Sequence, residues 1–120
     1  MPRPSPADAH LPLTPLDLSV LLVLAEGASY GYGIVKAVSE RSRGAIELAP
    51  GNVYQALDRL ISRGWIEALG PGRLPEGAAP RRRYYAITPD GAGVAAAEAR
   101  RLKDMMPSLE RVLSLRTGEG

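Results

Sequence analysis

Between Pro50 and Gly64 the apolar residues fall on one side of a helix: Val53, Leu57, Leu60 and Ile61 recur at i, i+4, i+7 and i+8. Pro50 is tolerated in a first helical turn and Gly64 is a natural stop, so the pattern predicts a helix over that stretch. Its other side carries Asn52, Gln55 and Arg59 at i, i+3 and i+7, with Tyr54 beside them. Two amides, a guanidinium and a phenol projecting from the front of a short helix match the hydrogen-bonding groups of base edges and phosphates. The plainer reading of this face is a solvated side of an amphipathic helix. The surrounding elements decide between the two.

Upstream, Leu16, Leu18, Val20, Leu21, Leu22, Val23 and Leu24 make a helix apolar on most sides. Thr14 is its expected cap, Pro15 its first position and Asp17 lies near the positive end of its dipole; Glu26 and Gly27 end it. Such a helix is central, with part of its surface left to face another subunit. A helix over residues 28–43 follows, capped by Ser29, with Ile34, Val35 and Val38 as its buried stripe. Gly31 and Gly33 each cost roughly 1 kcal/mol against alanine inside a helix, which points to close approach of another backbone or of a sugar-phosphate chain. Tyr30 or Tyr32 would there donate to a phosphate oxygen; the alternative is that both rings pack on the core.

Residues 46–48 form a short β-like segment. Residues 65–69 and 81–88 read as strands joined by a Gly- and Pro-rich tip over 70–80, a hairpin. Alternation along the second strand turns some of Arg81, Arg82 and Arg83 outward in any register. Thr88, Pro89 and Asp90 start a long helix that runs to about Arg116. In it Leu102, Met105, Leu109 and Val112 are spaced 3, 4 and 3, the seam of a helix that packs on another helix, widened by Met106 and Leu113. Pro107 removes one internal hydrogen bond and is expected to kink this helix. Residues 1–12 read as a disordered, Pro-rich leader and residues 117–120 as a tail.

Composition narrows the chemistry. The length of 120 residues suits one domain with a small core, and the lack of cysteine leaves neither disulfides nor thiolate metal sites, as suits a reducing cytoplasm. No apolar run approaches a membrane span, since Asp17 and Ser19 interrupt the longest one. The single histidine, His10, lies in the leader, the carboxylates are scattered and no Gly-rich phosphate loop follows a strand. An enzyme is therefore not expected, nor a metal or other cofactor. The net charge is +2: residues 45–88 hold six basic and four acidic groups, while the flanking regions are balanced. This mild central excess is a weak footprint for a polyanion.

Helix, helix, short strand, helix, strand, loop, strand is the order of a winged helix-turn-helix over residues 13–88, in which the third helix enters the major groove and the hairpin runs along the backbone or minor groove. The fold expected is mainly α with a small β-hairpin wing, closed by a C-terminal dimerisation helix over residues 89–116. In this reading Asn52, Gln55 and Arg59 read base edges, while Tyr30, Tyr54, Arg63, Arg81, Arg82 and Arg83 position the protein on the DNA backbone. Leu102, Met105, Met106, Leu109, Val112 and Leu113 would make the dimer interface. The competing reading is a winged-helix protein-interaction module whose arginines form a solvated loop.

Three blocks carry a family resemblance: residues 30–34 (Tyr-Gly-Tyr-Gly-Ile), residues 50–60 together with Gly64, Trp65 and Ile66, and residues 83–91 (Arg-Tyr-Tyr-Ala-Ile-Thr-Pro-Asp-Gly). Together and in this order they resemble the signatures of the PadR-type transcriptional regulators, over about residues 13–91. The resemblance implies a cytoplasmic homodimer, usually a repressor, that binds pseudo-palindromic double-stranded operators. It also implies release by a small hydrophobic effector lodged at the dimer interface, and a single C-terminal helix places the chain with the compact subgroup. Asn52 stands where relatives often carry Thr, Gln55 where they often carry Pro, and Ala49 where a capping serine is frequent. A relative's operator sequence is therefore not transferable.

Overall fold

The computed structural model describes residues 6–79 and 81–117. Helix α1 (Pro15–Glu26) begins as its sequence predicts. The Thr14 hydroxyl oxygen accepts the Asp17 N–H at 3.1 Å, Pro15 opens the helix, and Gly27 closes it with its N–H on the Leu24 carbonyl. The helix is apolar almost all round and lies in the centre, with Val20, Leu21, Val23 and Leu24 buried. Helix α2 (Gly31–Arg41) buries Ile34 and Val38, and α3 (Pro50–Ser62) buries Val53, Leu57 and Leu60 against them. Burial of each such aliphatic side chain contributes about 1.5–3 kcal/mol. Arg43 and Gly44 take positive φ angles of 54° and 80° after α2 and turn the chain towards α3.

The sheet departs from expectation. Strand β1 is Ser29–Tyr30, directly before α2, and it pairs antiparallel with β3 (Tyr84–Ile87), which pairs on its other edge with β2 (Ile66–Ala68). Ser29 is thus a strand residue rather than a helix cap, and Tyr30 takes the cap position without a side-chain bond. No strand forms at residues 46–48. Both edges of β3 are already occupied, and the Ile46 N–H is taken by the Ser42 hydroxyl at 2.9 Å in a local turn. The β2–β3 hairpin is the wing. Its long connection contains a short 3-10 helix, Pro71–Arg73, whose arginine is held to Glu67 of β2 at 2.5 Å. Tyr84 and Tyr85 are both buried, on opposite faces of β3.

Helix α4 (Pro89–Thr117) continues through Pro107. Thr88 locks its start: the Thr88 N–H donates to the Trp65 carbonyl, its hydroxyl donates to the Gly64 carbonyl at 2.6 Å and accepts the Gly91 N–H at 3.0 Å. Gly91 sits so close to β2 that a Cβ there would lie 2.0 Å from the Trp65 carbonyl oxygen. The first half of α4 closes the core with Val94, Ala95 and Ala97; in the second half Met105, Met106, Leu109, Val112, Leu113 and Leu115 are exposed.

The disordered leader expected over residues 1–12 is corrected for the part described. Pro6–His10 is a 3-10 helix packed on α4, with His10 edge-on to the Trp65 ring at 5.2 Å. The Leu13 N–H ends this segment by donating to the buried Glu98 carboxylate at 2.8 Å. Residues 1–5 and 118–120, the rest of the expected leader and tail, lie outside the described residues.

Candidate nucleic-acid interface

Asn52 and Gln55 are exposed at the front of α3, with Tyr54 half exposed between them and Val53 and Leu57 buried behind. No side chain caps α3 at Ala49 and no acidic residue occupies its first turn, so the positive end of its dipole is uncovered. The same front meets the start of α2. A Cβ on Gly31 would stand 2.8 Å from the Tyr54 hydroxyl oxygen, so the glycine is there to admit that ring. At Gly33 the space is filled by the Ser29 hydroxyl and the Tyr30 ring. Another backbone or a sugar-phosphate chain was expected to approach here; instead the side chains of Tyr54, Ser29 and Tyr30 fill the space.

The wing arrives at this junction through β3. Tyr30 faces Tyr84 across the β1–β3 pair with ring centroids 5.6 Å apart, and Arg82 lies over the Tyr30 ring at 4.1 Å. Arg83 points to the other face, over Tyr85 at 5.8 Å. Burial pushes the Tyr85 phenol above its usual pKa, and the neighbouring Arg83 opposes that rise. Arg81, Arg82 and Arg83 are exposed, and among the described residues none of them is paired with a carboxylate. Tyr32, in the first turn of α2, is exposed as well. The amides of α3 and the phenols of Tyr32 and Tyr54 are thus exposed around the start of α2, and Arg82 meets that junction through the Tyr30 ring.

Two expected members are elsewhere. Arg59 donates to Asp17 of α1 at 2.5 Å. With Asp17 only 4% exposed at its side chain, the guanidinium answers a buried carboxylate. Arg63 lies over the Trp65 ring at 5.0 Å, at the opposite end of α3 and about 16 Å along the helix from Asn52. It is not brought to the cluster. Sequence reasoning placed Asp17 only at the helix dipole and did not single out Glu98; their signal, a carboxylate inside an otherwise apolar or Ala-rich stripe, is visible in the chain once those stripes are taken as buried.

Among the described residues no group of His, Asp or Glu side chains is arranged to hold a metal ion, and no helix is long and apolar enough to cross a membrane. A mainly helical domain whose three-stranded antiparallel sheet carries a wing beside an exposed third helix is a winged helix-turn-helix. The family model described as the transcriptional regulator PadR-like family matches residues 20–97. The chain belongs to that family.

Solved structures of transcriptional regulators agree with it. A transcriptional regulator from Clostridium thermocellum is 27% identical with a TM-score of 0.62, over 80% of this chain and 87% of that one. A PadR family transcription regulator from Clostridium difficile is 25% identical with a TM-score of 0.65, over 83% and 99%. A PadR-like transcriptional regulator from Bacillus cereus, 19% identical with a TM-score of 0.67 over 82% and 90%, shares the fold. A search of curated proteins gives no match. As a PadR-family transcriptional regulator, the chain has the fold of a DNA-binding protein.

Proposed function

We propose that this PadR-family regulator is a homodimeric repressor that sets two copies of α3 into successive major grooves of a pseudo-palindromic operator, about 34 Å apart. The observation that carries the reading is the exposed pair Asn52 and Gln55 at the uncapped front of α3, opposite its buried stripe. Either amide matches the donor and acceptor edge of adenine. Tyr54 and the Arg81–Arg83 run fit phosphate contacts, which fix register without reading sequence. Repression follows from occupancy of a promoter.

The dimer would be built on the second half of α4, where Met105, Met106, Leu109, Val112 and Leu113 present an apolar stripe together with Leu115 and the half-buried Leu102. Release needs a second state that DNA binds less well. A small apolar or aromatic effector at this seam suits the adaptable walls of Met105 and Met106. Calorimetric titration of the protein with small aromatic compounds tests that step; absence of both heat and loss of DNA binding across a broad panel would remove it.

The deciding experiment is a gel-shift series with the promoter upstream of the protein's own gene, taken from low to high salt. Retardation that weakens linearly in log affinity against log salt is expected. Gln55→Ala should relax the preference at one base pair by about 1–3 kcal/mol, and an unchanged preference would deny Gln55 its reading role. No retardation at low salt would favour the protein-interaction module.

A further inference from the structure

We infer that Tyr30 is a positioning residue whose ring, held by Tyr84, is the platform that aims the Arg82 guanidinium at the DNA backbone, rather than a phosphate donor through its hydroxyl. The inference rests on the DNA-binding reading above. Its basis is the geometry where the wing meets the start of α2.

Arg82 lies in the bend two residues before Tyr84, the first residue of β3, and its guanidinium turns back over the Tyr30 ring. Tyr30 is the cross-strand partner of Tyr84 in the β1–β3 pair, which places its ring next to both. The rings meet edge to face at 5.6 Å, an arrangement that aromatic pairs favour, and Arg82 covers the Tyr30 ring at 4.1 Å, well within cation–π range. Tyr84 is itself buried, and its hydroxyl oxygen accepts the Ala79 N–H at 3.3 Å, which ties the far side of the wing to the same stack. The ring of Tyr30 is anchored from below and loaded from above.

Arginine suits this arrangement because its planar group lies on an aromatic face and still offers in-plane N–H donors to a phosphate. A long exposed side chain would otherwise surrender its rotamer freedom when DNA binds. The stack settles that orientation beforehand. Among the described residues Arg81 has no such contact, and Arg83 lies over Tyr85 instead, so the platform singles out Arg82.

The test compares the full chain with Tyr30→Phe, Tyr30→Leu, Arg82→Lys and Arg82→Ala, using one duplex across a salt series and proton NMR of the free protein. Tyr30→Phe should bind as wild type. Tyr30→Leu should bind roughly threefold more weakly per subunit, the factor an exposed cation–π contact supplies. Arg82→Ala should weaken binding further and lower the salt slope by about one per subunit. Arg82→Lys keeps the charge and should fall between wild type and alanine. The Arg82 side-chain methylene resonances should be shifted upfield by the ring in wild type and Tyr30→Phe, and not in Tyr30→Leu.

Equal weakening by Tyr30→Phe and Tyr30→Leu would return the role to the hydroxyl and overturn the inference, as would an Arg82→Ala protein that binds like wild type. Should Tyr30→Leu fail to fold, the free wild-type protein still decides: Arg82 methylene resonances not shifted upfield by the ring would overturn the inference. Wild-type protein that binds no duplex at low salt would instead remove the DNA-binding reading and the inference with it.

Discussion

Gly91 and Gly93 lie two positions apart in the first turns of α4 and should answer alanine with opposite signs. Nothing lies within 4 Å of a Cβ at Gly93, so Gly93→Ala should stabilise by about 0.5–1 kcal/mol, the ordinary gain in a helix. A Cβ at Gly91 meets the Trp65 carbonyl oxygen at 2.0 Å, and main chain does not yield as a side chain does. Gly91→Ala should therefore destabilise by about 1–3 kcal/mol, the cost of overpacking, as read from urea melts of both variants. Local signals at this scale were legible: the Thr14 cap, the Pro15 start and the amides on the front of α3 follow from residue type and spacing. What was not legible depends on distant partners. Arg59 looks available on a helix face until Asp17 arrives from 42 residues away to claim it.

At the scale of elements, α1, α3, the wing and α4 could be read from periodicity and punctuation because each carries its own stripe or turn. Strand β1 could not: two residues hold no alternation, and only the free edge of β3, more than fifty positions later, makes them a strand. The β-like composition of residues 46–48 misled for the converse reason, since propensity without an edge to join yields no strand. The exposed second half of α4 makes the clearest prediction here. Leu109 is 44% exposed and Val112 59%, on a helix whose first half is already packed. Leu109→Glu with Val112→Glu should leave the melting temperature of the winged domain nearly unchanged and convert the proposed dimer to monomer in sedimentation experiments. DNA affinity should fall at least tenfold, as the second half-site is lost. A double variant that stays dimeric would place the seam elsewhere.

For the whole molecule, Glu98 joins the ends of the fold. Its carboxylate takes Arg101 from its own helix at 2.5 Å and the Leu13 N–H from the segment that leads into α1. Arg101 holds the Glu98 carboxyl below the usual carboxylate range; burial opposes this and the Leu13 N–H reinforces it. The folded pKa is lowered, so its stabilising contribution is present above the unfolded value of roughly 4.3 and is lost as pH falls through the lowered one. Glu98→Gln keeps an acceptor for Leu13 but no charge. The melting-temperature gap between wild type and this variant should be full at pH 7 and close below about pH 4. A gap independent of pH would mean that charge at Glu98 is not what fastens the N-terminal segment.

Thr88 spans the corner between α3 and α4, touching Gly64, Trp65 and Gly91 through one amide and one hydroxyl. A mitre joint of that size sets the angle at which the head leaves its handle. In a twofold pair any change in that angle is doubled and carried along the full reach of the handle before it arrives at the DNA. In the proposed dimer, the spacing of the two half-sites would follow in part from the geometry of that one threonine.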